Sequence, residues 1–138
     1  MNLVQTQEGA EYVWQIVLGA HPGPGLRVHL LGSPYTPVHT STEATFAAAE
    51  LAVAGYSPLA LGPGLTGWTV IPIAQGGQAT NQQAQWAFGA ACTVYGGWME
   101  LIGTGYSWFG WLFDSPFIFG AAGGPFYLVA SPTLISVP

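Results

Sequence analysis

The segment WFGWLFD, residues 108–114, is apolar on both faces of any strand that it forms. Successive side chains of a strand point to opposite faces of the sheet, so Phe109, Trp111 and Phe113 share one face. Trp108 points to the other face, together with a glycine, a leucine and one acid. A single hydrophobic core on one side does not account for both faces. The segment is therefore either a central strand buried on both faces or a strand that keeps one face for another chain.

Charged side chains are scarce along the whole chain. Of its 138 residues, 5% are Asp, Glu, Lys or Arg, whereas a soluble domain typically has about 25%. A chain of this size exposes roughly 6,800 Å² when folded, or about 1,000 Å² for each charge. A standard interface takes about 800 Å² from each partner, so a patch of that area can lack charge altogether. We interpret this as a surface largely covered in an assembly; the alternative is a neutral surface rich in Gly, Ala, Thr and Gln.

The charge balance and the cysteine count argue against several classes of protein. The net charge of −5 includes a single basic residue, Arg27, and binding to nucleic-acid phosphates needs several. The lone Cys92 has no partner for an intrachain disulfide or a CxxC site. We therefore expect no nucleic-acid partner, and cytosolic synthesis fits the cysteine usage.

Neither a secretion signal nor a membrane helix is expected. The first 13 residues lack the basic region and the apolar region of a secretory signal. Residues 51–99 contain no charge, but Pro58, Pro63 and Pro72 and the polar run at 75–85 are incompatible with a membrane helix. We therefore expect no membrane partner.

No linker, composition shift or internal repeat divides the chain, so we predict a single domain covering residues 1–138. Its first part, residues 1–20, is predicted to be an arm with a short helix over 8–18. Two acids lie near the N-terminus of that helix, where the helix dipole favours them, and an apolar stripe follows. The glycines and prolines of AHPGPG end it.

Residues 26–138 are predicted to be a succession of short strands. The first strand covers 26–32, with Arg27 and His29 opposite a face of leucine and valine. A loop follows, and residues 44–55 are predicted to be loop with at most one helical turn. The further strands lie within the segments YSPLAL, GWTVIPI, QAQWAF, VYGGWMELI, SWFGWLF and FYLVASPTLISV. Short strands at such regular spacing predict a β-sandwich or barrel.

Tryptophans on three of these strands are predicted to meet in one core: Trp86, Trp98 and Trp111. Within VYGGWMELI, alternation places Val94 and Trp98 on one face of the strand and Met99 on the other.

Two motifs of potential chemical interest have simpler structural explanations. GPGLTG, residues 62–67, matches GxGxxG, but a dinucleotide loop must open a helix and be followed by an acid about 20 residues later. Here a strand follows, and we predict a glycine-rich turn. HTSTE offers His39, Ser41 and Glu43, but a triad needs residues that converge from several elements. The histidines and the cysteine lack zinc-site spacing, so we predict no catalytic residue, no cofactor and no metal.

Acids and aromatics give one weaker pair of candidates. Glu100 and Asp114, on adjacent predicted strands, are the residue types of a glycosidase carboxylate pair. Trp108 and Trp111 are residue types that stack on sugars, but at a spacing of three they face opposite sides of a strand. Neither pattern comes with basic residues or a polar cleft. We therefore favour a core or interface role for the tryptophans, and a protein that is not an enzyme.

Eight segments of the chain occur in a characteristic order: the N-terminal helix ending in VLG, LRVHLLGSPYTP, EATF, GYSPLAL with GWTV, QAQWAF, VYGGWMEL, GWLFDSPF and FYLVASPTLIS. This order resembles that of small virion structural proteins of tailed bacteriophages, of the capsid decoration (cement) type. The resemblance spans almost the whole chain and is one of pattern and order, with no single diagnostic motif. Asp114 and Ser115 stand where the family usually has Glu-Arg.

The resemblance implies an all-β fold, a jelly-roll-like β-sandwich with one short N-terminal helix, with residues 26–138 forming the sandwich. It also implies a homotrimer without catalytic activity on the outer surface of the virion capsid, where the major capsid protein is its partner.

The strand at 106–114 is then expected to form the contact between protomers, through Trp108, Phe109, Trp111 and Phe113. Residues 1–18 and the loop 33–46 are expected to contact the capsid. The residues assigned to that contact are Leu3, Val4, Tyr12, Trp14 and Tyr35. The alternative function is a tail or fibre component that binds a host receptor or a glycan.

Overall fold

The structure is a computed structural model that describes residues 3–11, 25–61, 68–73, 76–81, 83–129 and 133–135. Within these residues the chain consists mainly of antiparallel strands with two short helical segments, α1 at 7–11 and α2 at Glu43–Ala47. The strands are β1 Val4–Gln5, β2 Leu26–Leu31, β3 Leu59–Leu61, β4 Trp68–Ile73, β5 Gly76–Asn81, β6 Ala84–Phe88, β7 Cys92–Leu101, β8 Tyr106–Phe119, β9 Gly124–Leu128 and β10 Thr133–Ile135. The prediction of an all-β chain is confirmed.

The described strands form three antiparallel sheets. The largest has five strands in the order β1-β8-β7-β2-β3, and the others have the orders β10-β5-β4 and β6-β9. In the five-stranded sheet, His29 of β2 lies opposite Trp98 of β7, and Met99 of β7 lies opposite Phe109 of β8. β7 is its central strand, with β8 and β2 on either side.

A bulge of four residues interrupts the pairing of β8 with β7. Gly96 pairs with Leu112, but Val94 pairs with Phe117, so the four residues 113–116 of β8 lie opposite Tyr95 alone. Pro116 suits this place because proline lacks the N–H that a regular ladder needs. The bulge divides β8 into an inner part, residues 106–112, and an outer part, residues 117–119.

The main hydrophobic cluster lies between one face of the five-stranded sheet and the β6–β9 ribbon. Burial alternates along β6, so its buried side chains all belong to one face. The members of the cluster are Val28, Leu30, Leu51, Ala84, Trp86, Phe88, Val94, Met99, Trp111, Phe126 and Leu128. Two β layers therefore share one core.

A second hydrophobic cluster covers the opposite face of the five-stranded sheet. Its members are Leu31, Phe46, Ala49 and Trp98, against which Tyr35 and Leu112 pack. Phe46 comes from α2, which begins with a capping box between Thr42 and Thr45. Its ring stacks on Trp98 with centroids 5.4 Å apart. The central strands are thus buried on both faces.

Residues 44–55 were predicted to contain at most one helical turn, and that turn is observed as α2, Glu43–Ala47. The strand predicted at 26–32 is observed as β2. The helix predicted over 8–18 is helical at 8–11, and its remaining residues lie outside the described part, as does the turn predicted at 62–67.

Two packing predictions are wrong. Trp86 and Trp111 belong to the main cluster, but Trp98 lies on the other face of the sheet, in the second cluster. Val94 and Met99 both lie in the main cluster, although simple alternation separates them. The cause is the bulge at Tyr95, which reverses the face to which the residues before it point.

Candidate interaction surfaces

After the exposed Tyr106, the inner part of β8 is covered on both faces by its own chain. Trp111 is fully buried in the main cluster, and Phe113 packs against the same cluster. On the other face, Leu112 packs against the second cluster. A Cβ atom added to Gly110 would lie 2.4 Å from the Phe46 ring, so glycine is what allows α2 to pack this closely. The structure therefore agrees with the first interpretation of WFGWLFD, that of a strand buried on both faces.

The residues expected to form the protomer contact differ in how much surface they keep. Phe109 is buried and Trp111 is fully buried, whereas Trp108 and Phe113 are half-buried. Trp108 packs on Phe109 with ring centroids 4.7 Å apart and closely approaches Gly9. In this chain, only Trp108 and Phe113 of the four keep part of their side chains accessible to a partner.

Large exposed apolar side chains lie instead beyond the bulge and on β9. Phe117 is 47% exposed and Ile118 is 78% exposed, at the outer part of β8. Tyr127 and Val129 are 53% and 44% exposed, in β9 and just after it. β9 lies beside the outer part of β8, because the ring centroid of the buried Phe126 lies 5.2 Å from that of Phe117, while Tyr127 and Val129 point to the other face of β9. We call these four exposed residues the outer apolar surface.

The N-terminal segment lies against the inner part of β8. Val4 pairs with Gly110, and the fully buried Thr6 donates a hydrogen bond of 2.7 Å to the carbonyl oxygen of Ser107. Leu3 packs against the main cluster. Of the expected capsid contacts, Leu3 and Val4 are thus half-buried on their own chain, while Tyr12 and Trp14 lie outside the described residues.

Glu8 fastens this N-terminal segment to two other elements. Its Oε1 atom accepts hydrogen bonds from the Ser107 N–H and hydroxyl, both at 2.7 Å, and from the Glu43 N–H at 3.0 Å. Glu8 and Glu43 are close enough to repel one another. Burial, followed by the charges of Glu100 and Glu8, raises the pKa of Glu43 above its ordinary value. Sequence reasoning missed this contact, because no pattern links residues 8 and 107.

Tyr35, the remaining expected capsid contact, borders an apolar groove beside α2. The groove has a volume of about 460 Å³ and is lined by Ser33, Pro34, Tyr35, Thr45, Ala48 and Ala49. The Tyr35 ring packs edge-on against Phe46, and its hydroxyl lies 2.7 Å from the Ser41 hydroxyl. Tyr35 therefore shapes the groove and leaves part of its ring exposed.

Four of the few charged or ionisable side chains form one chain of contacts on the sheet. Arg27 Nη1 lies 3.1 Å from Glu100 Oε2, and His29 Nε2 lies 2.8 Å from the same oxygen. The other ring nitrogen, Nδ1, lies 2.7 Å from Glu50 Oε1. His29 and Glu100 are 7% and 9% exposed, and the His29 ring stacks on Trp98 at 3.9 Å. We call Arg27, His29, Glu50 and Glu100 the charged network.

Tyr56 completes the charged network at its edge. Its hydroxyl donates a hydrogen bond of 2.8 Å to Glu50 Oε1 and accepts one of 2.9 Å from the Leu30 N–H. Burial raises the pKa of Tyr56, and so does the adjacent Glu50 carboxylate. For Glu50, burial acts to raise the pKa, but the hydrogen bonds from His29 and Tyr56 more than offset it, so its pKa is lowered.

The candidate catalytic combinations do not assemble. Ser41 bonds Tyr35 and the Val38 N–H, while His39 Nδ1 lies 3.3 Å from a backbone oxygen of Gln5. Glu100 lies opposite Ser107 of β8, seven residues before Asp114, which is about 20 Å along a strand. That distance exceeds the separation of a glycosidase pair.

Part of the charged network had a signal in the sequence. Arg27 and His29 are two residues apart on a strand and so share a face, and Glu100 lies on another predicted strand. Glu50 had none, because it follows α2 and joins the network across the edge of β2.

Comparison of the chain with protein-family models, with curated proteins and with solved structures gives no match. In the described part of the chain, no helix is long and apolar enough to cross a membrane. The same residues contain no group of three or more His, Cys, Asp or Glu side chains arranged to hold a metal ion.

Proposed function

We propose that the protein is a non-enzymatic virion structural protein, a capsid decoration (cement) protein that binds the assembled head as a homotrimer and stabilises it. The observation that carries this proposal is the distribution of polarity. Glu8 and the charged network contact groups of their own chain, while the outer apolar surface exposes Phe117, Ile118, Tyr127 and Val129.

Because Glu8 and the charged network are engaged within their own chain, they support a binding surface that does not depend on ion pairs. Glu8 caps backbone groups, and the charged network pairs its cations with its carboxylates. A partner would therefore meet a neutral surface with apolar side chains, and apolar burial contributes roughly 25 cal/mol per Å². Such an association is less sensitive to salt than one between charged surfaces.

A decoration protein stabilises a shell by mass action. Because it binds only the assembled state, its binding free energy is added to the free energy that holds the shell together. The two-layered β arrangement around the main cluster supports a jelly-roll-like sandwich as the rigid body that carries the contacts. We assign the protomer contact to the outer apolar surface, and the capsid contact to the loop 33–46 with its groove.

Two exposed apolar residues allow these two contacts to be tested separately. Ile118 lies in the outer apolar surface, and Val38, 49% exposed, lies in the loop. Light scattering coupled to size exclusion is expected to give a trimer for the wild type and for Val38→Ser, and smaller species for Ile118→Ser. Co-sedimentation with undecorated capsids is expected to saturate for the wild type and to weaken for Val38→Ser. A wild-type monomer that stays in the supernatant would contradict the proposal.

Exposed aromatic rings favour one alternative, a tail or fibre component that recognises a host receptor or glycan. Tyr127 is 53% exposed on β9, and an exposed ring of this kind can pack on a sugar face. Binding of the purified protein to host cells that Tyr127→Ala abolishes, without capsid binding by the wild type, would support this alternative over decoration.

A further inference from the structure

The segment after α2 crosses the open edge of β2 and connects the two faces of the sheet. β3 pairs with β2 only at Leu26–Val28, so the edge at Leu30 and Leu31 is left to this segment. The Gly32 N–H donates to the Ala49 carbonyl, and the Leu51 N–H donates to the Leu30 carbonyl, both at 2.9 Å. We call residues 49–56 the strap.

The strap is anchored by apolar side chains at both ends. Ala49 belongs to the second cluster, and Leu51 belongs to the main cluster, against which Val53 and Tyr56 also pack. Between these anchors, Glu50 turns its carboxylate to His29 and to the Tyr56 hydroxyl. The strap therefore crosses the sheet edge with an ionisable group at the crossing point.

The hydrogen-bond partners of His29 bear on which of its ring nitrogens carry hydrogen. Each ring nitrogen faces a carboxylate oxygen, Glu50 on one side and Glu100 on the other. An imidazole donates from both nitrogens only when both carry hydrogen, and an ionised carboxylate can only accept. Arg27 also contacts Glu100, so each carboxylate of the network faces a group that can donate to it, which is the arrangement that limits the cost of burial.

We propose that the contact between His29 and Glu50 is a proton-sensitive latch that holds the strap across the edge of β2. The latch is closed while Glu50 is ionised, and it opens when Glu50 takes up a proton. Protonation removes the negative charge of the Glu50 acceptor, so the imidazole then faces an uncharged carboxyl group and the hydrogen bond between them is weaker. This inference concerns the chain by itself and does not depend on the proposed function.

Opening of the latch is local because the remainder of the sheet has independent contacts. β2 keeps its pairing with β7 over Leu26–Leu31, and β7 keeps its pairing with β8. Within the described residues, the titratable or charged groups that face the latch come from four elements: Arg27 from β2, Glu100 from β7, Tyr56 from the strap and Glu43 from α2. Of these, Glu43 is a carboxyl group whose pKa is raised by burial, whereas that of Glu50 is lowered, so its contribution has to be separated from that of Glu50.

Hydrogen exchange at single amides tests the latch. The reporters are the Gly32, Leu51 and Leu30 amides, which depend on the strap, and the reference is Met99 between β7 and β8. After correction for intrinsic rates, lowering the pH from about 7 to about 3 is expected to reduce wild-type protection at the strap by about tenfold. Met99 protection is expected to change much less.

Variants separate a latch from a general effect of acid. Glu50→Ala is expected to reduce strap protection about tenfold already at neutral pH. Glu50→Gln keeps an acceptor but cannot be protonated, so its strap protection is expected to lose the pH dependence, whereas Glu43→Gln is expected to keep it. Glu11→Gln removes an exposed carboxylate whose hydrogen-bond partner among the described residues is Gln7 and is the matched control.

Three results would overturn the proposal. The first is equal wild-type strap protection at both pH values. The second is a Glu50→Gln variant that keeps the wild-type pH dependence. The third is a change of the same factor at the strap amides and at Met99, which would mean global unfolding instead of a latch.

Discussion

The inner and outer parts of β8 are equally apolar in sequence and have opposite surroundings. Over residues 106–112, the strand lies between β1 and β7 and under two hydrophobic clusters. Over residues 117–119, it pairs only with the start of β7, and Ile118 is 78% exposed. The difference comes from the neighbours, because β2 and α2 reach only as far as the inner part. The topology thus decides whether the apolar side chains of β8 are covered by their own chain or stay exposed.

Trp111→Ala and Ile118→Ala are expected to separate the two parts most widely. Trp111 is fully buried in the main cluster, and truncation of such a ring costs about 3–5 kcal/mol of unfolding free energy. Ile118 has little buried area to lose, so its change is expected to stay within about 0.5 kcal/mol. Urea denaturation of the two variants measures this. A similar loss for both would contradict the distinction between the two parts.

A glycine pair sharpens the same comparison through overpacking. Gly110→Ala would place a Cβ atom 2.4 Å from the Phe46 ring, whereas a Cβ atom at Gly120 meets nothing within 4 Å. We expect Gly110→Ala to cost about 1–3 kcal/mol, because Phe46 must shift. Gly120→Ala is expected to be neutral or slightly stabilising. Thermal unfolding provides the measurement, and an unchanged Gly110→Ala midpoint would mean that α2 packs more loosely than described.

The attachment of the N-terminal segment is a further property of the inner part. Glu8→Gln weakens the acceptor of three hydrogen bonds that join the segment to β8 and α2. We expect a loss of about 1–2 kcal/mol, whereas Glu11→Gln, at an exposed contact, is expected to change little. Deletion of residues 1–12 is expected to destabilise the chain more than Glu8→Gln does, because it also removes β1. Equal stability of the deletion variant would show that β1 contributes nothing to the sheet.

A decrease in pH is expected to give the smallest change in unfolding free energy, through Glu50 and Glu43. The pKa of Glu50 is lowered in the folded chain, so its contribution to stability is present above its unfolded pKa and is lost as the pH falls through the folded value. The pKa of Glu43 is raised, which gives the opposite sign. The acid-induced decrease in unfolding free energy is therefore expected to become smaller in Glu50→Gln and larger in Glu43→Gln. Denaturation at a series of pH values below about 5 measures both.

The sequence was sufficient for elements whose pattern is local. β2, β7 and β8 were predicted with alternating faces, and β6 was predicted as one of the regularly spaced short strands. β1 has two residues and exists only through its pairing with β8. β5, GGQATN, carries no apolar pattern, and its glycines argue against a strand. A strand without a pattern of its own is defined by its partner, and the partner is not visible in the local sequence.

The sequence predicted what kind of surface to expect, but not the residues that form it. Scarce charge and abundant aromatics indicated a covered surface, but the residues chosen for it included Trp111, which is buried in its own chain. Locating the exposed residues required knowing that four residues bulge out of β8 before Phe117. The contact between His29 and Glu50 spans 21 positions and crosses a strand edge, which no periodicity describes.

The charged network also has a consequence for proteolysis. Arg27 is the single Lys or Arg of the chain, so trypsin has one peptide bond to cut, Arg27–Val28. That bond lies in the middle of the five-stranded sheet, where Arg27 pairs with Ala60 on one side and Glu100 on the other. Cleavage requires β2 to leave both neighbours, and its rate therefore reports the population of opened molecules. Because cleavage gives two fragments, residues 1–27 and 28–138, the rate of digestion measures stability without a label on the chain.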